Sequence, residues 1–195
     1  MRSSASAEAG AVAVPPGLLS LDGPGATEPA VAGAKAASLA SARRLGLPAL
    51  PGLVLPVDAS RAAVLAASTT LATGGTGAAR PAALRTRLPR RTDSALRAAV
   101  TALGGRVIVR SSSPLEADHR WSGAFCSVCE VGPGDAGTAV RACWASAFAP
   151  DPLGRAEACG VRADELALAV LIQPELTPKR VGSPGSWTAP CASRP

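Results

Sequence analysis

Short apolar runs alternate along the chain with segments rich in glycine, proline and polar residues. Leucine and alanine at near-helical spacing predict a first helix that ends at Gly46, and Asp58 is a suitable N-cap for a second. Helices are predicted over residues 34–45, 59–71, 92–103 and 137–148, with Thr92 or Asp93 capping the third. Strands are predicted over residues 18–21, 52–56, 106–110, 123–131 and 166–173.

These helices and strands follow one another without a strict βαβ alternation, which favours an α+β fold over a doubly wound sheet. The run at 166–173 is apolar almost throughout, as expected of a strand that is buried on both faces. One domain is predicted over residues 18–176, with a linker at 73–80. Residues 1–17 are expected to form a flexible tail, and residues 177–195 an irregular tail without periodicity.

Alanine supplies much of the apolar content of 47%. Because alanine buries little area, each helix is expected to contribute modest hydrophobic stabilisation. The formal charge of +6 invites a nucleic-acid interpretation, but the arginines are dense only at 80–91, where no aromatic residue is interleaved for base stacking. We therefore interpret 80–91 as a solvated face and predict no nucleic-acid partner, while a net positive charge also suits a protein that holds a polyphosphate.

The cysteines and the apolar runs bear on the cellular compartment. The chain has 5 cysteines, no secretory signal and no run of about 18 apolar residues. We therefore predict a cytoplasmic protein with reduced thiols and no membrane partner. Cys126 and Cys129 match a C-x-x-C pattern, but residues three apart on a strand point to opposite faces, so no metal site is predicted there.

Two segments in the first two thirds of the chain carry recognisable motifs. Residues 31–40 (VAGAKAASLA) and 45–55 (LGLPALPGLVL) resemble the pattern GGKGANL followed by a helix and G-LPVPPGFVV. Residues 107–116 (VIVRSSSPLE) and 122–128 (SGAFCSV) resemble a stretch of the type VRSS…E…AGQFDSVL.

A third segment follows in the same order. Residues 142–148 (ACWASAF) and 168–174 (LAVLIQP) resemble the patterns CWASLF and VLVQ. All three patterns come from the nucleotide-binding, ATP-grasp domain of the pyruvate phosphate dikinase and phosphoenolpyruvate synthase family, which this chain resembles over most of residues 18–176. The resemblance implies the N-terminal part of an ATP-grasp domain, with a mixed sheet, flanking helices and ATP as ligand.

By this resemblance, Lys35, Arg110 and Ser111 contact the phosphates of ATP. Lys35 lies in the first turn of a predicted helix, where the lysine charge and the helix dipole both favour an anion. Arg110 ends a predicted strand, and its guanidinium group can hold phosphate oxygens bidentately. Two other interpretations stay open: Lys35 as a surface lysine, and Arg110 as the ion-pair partner of Glu116 or Asp118.

The resemblance also assigns Gly123, Ser127 and Gln173. The segment around Gly123 resembles the family's flexible glycine loop over the phosphates, and Ser127 keeps a hydroxyl there. Ala124 stands where the family often has Gln or Arg, so one side-chain contact is missing. Gln173 ends the last strand on the adenine side of the site, the alternative being a strand-end side chain that faces solvent.

The implied activity is that of a phosphotransferase, or kinase, whose phosphoryl group passes through a histidine of a separate domain. The single histidine here, His119, matches no such motif. In the family, the carboxylates that hold Mg²⁺ follow the last strand, so we expect an ATP-binding segment that is inactive alone. The alternatives are a non-catalytic lobe that binds a nucleotide or another partner, and a decayed gene product.

Residues 177–195 have loop composition where the family continues into a glycine pair and a further strand. This loss of pattern leads to the hypothesis of a frameshift in the coding sequence. Translation of the other two reading frames downstream is expected to give a continuation that carries Glu and Gly. No such continuation in either frame would contradict the hypothesis.

Overall fold

Five helices and five strands follow one another along residues 13–176, the part of the chain that the computed structural model describes. The order confirms the α+β class predicted from the sequence. The helices are α1 (Pro29–Arg44), α2 (Arg61–Arg85), α3 (Arg90–Ala102), α4 (Ala136–Ser146) and α5 (Pro150–Ala158). The strands are β1 (Leu19–Ser20), β2 (Leu53–Leu55), β3 (Val107–Ser112), β4 (Ser127–Val131) and β5 (Ala169–Pro174).

The strands form one sheet in the order β1-β2-β5-β3-β4. All pairings among the described strands are antiparallel, so the expectation of a mixed sheet is wrong in this detail. Strand β5 lies in the centre, and its residues Ala169 to Gln173 are buried. This confirms the prediction of a strand covered on both faces and gives the physical reason, because a central strand has a helix layer on each side.

Helix α1 covers one face of the sheet, and α2, α3 and α4 cover the other. Ala36 and Ala40 of α1 are four residues apart and share one helix face, and together with Ala32 they pack on Val54 and Leu171 in the smaller of two cores. The larger core contains Val107 and Val109 of β3 together with the apolar faces of α2, α3 and α4 and Ala156 of α5. The small alanine side chains let α1 lie close to the sheet.

Strand β3 places successive side chains on opposite faces of the sheet. Val107 and Val109 point into the larger core, whereas the hydroxyl of Ser112 meets the backbone of α1. Arg110 lies on the same face of the sheet as Ser112, because the two residues are two positions apart in the strand. Ser111 therefore points away from Arg110, toward the α4 side.

The predicted linker at 73–80 is wrong over most of its length, because the helical residues of α2 extend to Arg85. The helix is broken only at Gly75, with φ 61° and ψ −164°, and it resumes after this residue. The second half of the helix buries Ala79 and Ala83 in the larger core, and this tertiary packing outweighs the local preference of glycine and threonine for a loop.

The predicted helix caps are also wrong. Asp58 lies in a short 3₁₀ turn, Val57–Ser60, that precedes α2, and α3 begins at Arg90 with no side chain capping it, so neither Thr92 nor Asp93 is its N-cap. By contrast, Gly46 ends α1 as predicted, with φ 73° and its N–H donating to the carbonyl of Arg43 at 2.9 Å.

Other boundaries differ from the prediction. The strand predicted over 123–131 begins only at Ser127, after two 3₁₀ turns, Pro114–Ala117 and His119–Trp121. Helix α5 was not predicted from the sequence. Predictions for residues 1–12 and 177–195 fall outside the described residues.

Gly33 interrupts α1 with φ 75° and ψ 159°, and a regular helix resumes after it. A Cβ atom at this position would lie 2.0 Å from the carbonyl oxygen of Ser112. Only glycine combines this positive φ with such a close approach to backbone. The interruption therefore fixes where α1 resumes relative to the end of β3.

Replacement of Gly33 by alanine should lower the free energy of unfolding by at least about 3 kcal/mol, because backbone strain and a backbone clash add. The matched control is Gly46→Ala, where φ is also positive but a Cβ would meet nothing within 4 Å. This control should cost only about 1–2 kcal/mol. Urea unfolding followed by circular dichroism measures both, and equal losses would show that the contact with Ser112 does not matter.

Candidate functional site

The three serines that end and follow β3 bind the resumed helix of α1. The carbonyl of Ser113 accepts from the backbone N–H of Ala34 at 2.9 Å, and the hydroxyl of Ser112 accepts from that of Ala36 at 3.0 Å. The carbonyl of Ser111 accepts from Nζ of Lys35 at 2.6 Å. Two N–H groups of the first turn are thus occupied by protein, so an anion there would meet the lysine rather than a free helix N-terminus.

Lys35 also pairs with Glu116, with 3.0 Å between Nζ and Oε1. The Lys35 side chain is 25% exposed and the Glu116 side chain 10%. The second carboxylate oxygen of Glu116 accepts from the N–H of Ser113 at 2.9 Å, which closes a capping box. Glu116 therefore holds Lys35 in place while part of the lysine side chain stays exposed, and Lys35 is not a free surface lysine.

Arg110 pairs with neither carboxylate that the sequence offered for it. Glu116 is engaged with Lys35, and Asp118 binds Arg120, whose guanidinium group lowers the pKa of Asp118 to about 2. Nη1 of Arg110 lies 3.5 Å from Oε1 of Gln173. Its Nε is buried and finds no hydrogen-bond acceptor among the described residues.

Gln173 is buried, with 3% of its surface exposed. Its side-chain amide donates to the carbonyl of Leu50 at 3.3 Å and its oxygen faces Arg110. The alternative of a solvent-facing side chain is therefore wrong. The side-chain oxygen of Gln173 thus contacts the guanidinium group of Arg110. The assignment of Gln173 to the adenine side stays a prediction.

The segment around Gly123 is anchored on both sides. The rings of Trp121 and Phe125 stack with centroids 5.8 Å apart, and Nη1 of Arg155 donates to the carbonyls of Arg120 and Ser122 at 2.7 and 3.0 Å. Gly123 itself is exposed, with φ 71° and no atom within 4 Å of a Cβ position. It thus has the space and the conformational freedom to approach a ligand closely.

These groups surround one open cavity of about 1160 Å³, which we call the α1–β3 cleft. Of the residues predicted from the sequence, Lys35, Arg110, Gly123 and Ser127 line it. Ser127 lies directly opposite Arg110 in the pairing of β3 with β4. Ser111 is fully buried, with its hydroxyl donating to the carbonyl of Cys126 at 2.7 Å, so its predicted contact with phosphate stays untested.

Glu116 and His119 also line the cleft, although the sequence did not assign them to the site. The signal for Glu116 was its spacing from Ser113, since Ser-x-x-Glu is the pattern of a capping box. That pattern predicts a turn at this point. It does not reveal that the remaining carboxylate oxygen turns toward a lysine 81 residues away in the chain.

Two thiols lie behind the cleft. The side-chain hydrogen bond with Cys126, together with burial, holds the pKa of Cys143 well above its usual range, while the same hydrogen bond lowers the pKa of Cys126. Of the two members of the C-x-x-C pair, Cys126 is half-buried and Cys129 is exposed. Within residues 13–176, no cluster of three or more His, Cys, Asp or Glu could hold a metal ion.

The cleft thus combines two cations, one carboxylate, an exposed hydroxyl and an exposed glycine. The family model described as pyruvate phosphate dikinase, AMP/ATP-binding domain, matches residues 29–183. The chain belongs to this family. The match confirms the resemblance drawn from the three motifs and supports an ATP-binding domain of the pyruvate phosphate dikinase type.

No curated protein matches the chain. Among the described helices of this pyruvate phosphate dikinase-type domain, none has the length and apolar character needed to cross a membrane.

The Glu116→Gln substitution should lower the free energy of unfolding by about 1–2 kcal/mol, because it removes the charge that compensates half-buried Lys35. Glu165→Gln is the matched control. Glu165 also closes a capping box, on Arg162, and also faces an arginine, but its side chain is 51% exposed. The control should change stability by no more than about 0.5 kcal/mol. Equal effects in urea unfolding would mean that burial of the Lys35 pair adds nothing.

Proposed function

We propose that the α1–β3 cleft binds the phosphates of ATP, with Lys35 and Arg110 as the two cations that hold them. The observation that carries this proposal is that both cations line one cavity, although they lie far apart in the chain. Family membership makes ATP the ligand to expect. A polyphosphate needs several positive groups at close range, and charge-assisted hydrogen bonds are the strongest that side chains can offer it.

Arg110 is the group most ready to receive a phosphate oxygen. Its Nε lacks an acceptor and its Nη1 contact with Gln173 is long, so an anion would satisfy a donor that the protein leaves unsatisfied. Lys35 would keep its bond to the carbonyl of Ser111 and share its charge between Glu116 and a phosphate. In this proposal Ser111 acts through its carbonyl, which accepts from Lys35, and Gln173 orients Arg110 and borders the base.

Gly123 and Ser127 would lie over the phosphates and contact them together with Lys35 and Arg110. The backbone around Gly123 carries no side chain that would keep an anion away, and the exposed hydroxyl of Ser127 stands beside Arg110. The stacked pair of Trp121 and Phe125 supports this role because it fixes both ends of the segment. Such a segment can present N–H groups to phosphate at little entropic cost.

The cleft is a poorer fit for Mg²⁺ than for phosphate. Mg²⁺ prefers carboxylate oxygens and phosphates in octahedral geometry. Within residues 13–176 the cleft receives one carboxylate, Glu116, whose oxygens already accept from Lys35 and Ser113. We therefore infer that this segment binds the nucleotide. Mg²⁺ binding, and kinase activity through a phosphohistidine, would require residues other than 13–176.

Isothermal titration of Mg-ATP into the full 195-residue chain tests the proposal. Lys35→Ala and Arg110→Ala should each weaken binding by about tenfold or more, because each removes a charge-assisted contact. Arg61→Ala is the control, since Arg61 is exposed on α2 outside the cleft and should leave affinity unchanged.

Lys35→Ala leaves Glu116 without its cation and can therefore impair folding. Lys35→Gln is the second variant, because glutamine keeps a hydrogen-bond donor and removes only the charge. Thermal unfolding of each variant without ligand establishes that it is folded. If folded Lys35→Gln and Arg110→Ala bind ATP as tightly as the wild type, the proposal is wrong. Steady release of phosphate from ATP by the chain alone would instead contradict the inference that this segment binds without turnover.

A further inference from the structure

We infer that the protein has a second anion site, separate from the α1–β3 cleft, which binds a phosphate-bearing small molecule. The site is a surface cavity of about 600 Å³ where the start of α3 meets α4. Four arginines line it, and the acidic side chain among its lining residues is Asp93. We call it the arginine pocket, and its arginines are Arg87, Arg90, Arg97 and Arg141.

The arginines come from three segments that the fold brings together. Arg87 precedes α3, Arg90 and Arg97 lie on α3, and Arg141 lies on α4. Gly137 marks the contact between the two helices, because a Cβ there would lie 2.8 Å from Oδ1 of Asp93 and 3.6 Å from Nη1 of Arg141. The absence of a side chain at Gly137 therefore keeps Asp93 and Arg141 within one small space.

The charges in this space are not balanced by protein groups. Nε of Arg97 donates to Asp93 at 2.9 Å, and Arg141 donates to the hydroxyl of Thr138 at 3.1 Å. Arg87 and Arg90 form no ion pair with any described residue. Like charges gathered around one carboxylate repel each other, and a multivalent anion would relieve this repulsion.

The chemistry of the pocket favours phosphate over other anions. Planar guanidinium groups bind phosphate oxygens bidentately, and the hydroxyl of Ser94 on the pocket wall can add a donor. The pocket also borders the N-terminus of the 13-residue helix α3, which no side chain caps. Among the residues that the structure describes, no aromatic side chain lines it for base stacking, which disfavours a single-stranded nucleic acid.

Calorimetric titration of inorganic pyrophosphate at low ionic strength tests this inference on the full chain. The double variant R90Q/R141Q should weaken binding by about tenfold or more, since two phosphate contacts are lost. Arg61→Gln, an exposed arginine on α2 outside the pocket, is the matched control and should bind as the wild type does. Binding to the wild type should also weaken as salt is added.

Lys35→Gln separates the two sites, because it weakens phosphate binding to the α1–β3 cleft and should leave pyrophosphate binding to the arginine pocket unchanged. If ATP binds Lys35→Gln as tightly as pyrophosphate does, the pocket takes the phosphate tail of a nucleotide. If only pyrophosphate binds, the pocket takes a free polyphosphate. Both results support the site, and neither depends on whether ATP occupies the cleft.

Three results would overturn the inference: no pyrophosphate binding to the wild type, equal affinity in R90Q/R141Q, or an oligonucleotide that displaces pyrophosphate and binds more tightly. Arg141 is half-buried, so the double variant could lose its fold. In that event R87Q/R90Q, which changes two exposed arginines only, provides the same comparison. Circular dichroism establishes that each variant is folded before titration.

Discussion

The close contact between Gly33 and the backbone of Ser112 determines where the functional side chains lie. Because α1 resumes directly against the end of β3, the first turn of the helix bonds to Ser112 and Ser113 instead of to solvent. That placement brings Lys35 over the carbonyl of Ser111 and beside Glu116. A side chain at position 33 would push the helix away from the strand, and the lysine would leave the cleft with it.

Strand alternation explains which residues of the arginine and serine run face the cleft. With a period of two, Arg110 and Ser112 share the α1 face while Ser111 turns toward Cys126. The sequence carried this information, since a strand ending in Arg-Ser-Ser cannot present adjacent side chains to one ligand. The motif marks a segment that lines the cleft, and the periodicity within it separates Arg110, which faces the cleft, from Ser111, whose carbonyl accepts from Lys35.

The class of the fold and most element positions followed from the sequence because they depend on local patterns: apolar spacing, a glycine after α1 and a continuous apolar run at β5. The features that the sequence did not predict depend on contacts between residues that are far apart in the chain. Helix α2 resumes after Gly75 because Ala79 and Ala83 pack in the larger core. The pair of Lys35 and Glu116, and the gathering of Arg141 with the arginines before and on α3, join residues whose proximity exists only in the folded chain.

The two cations of the cleft, Lys35 and Arg110, differ in whether a protein group compensates their charge. An uncompensated, half-buried charge costs stability, and Glu116 removes that cost for Lys35. Among the described residues Arg110 has no such partner: its buried Nε lacks an acceptor, and a donor left in that state costs about 1–3 kcal/mol. A cleft with both cations paired would be more stable but would gain less from an anion. Under the proposed function, a phosphate that bonds to this Nε would recover that cost, while Lys35 keeps its ion pair with Glu116.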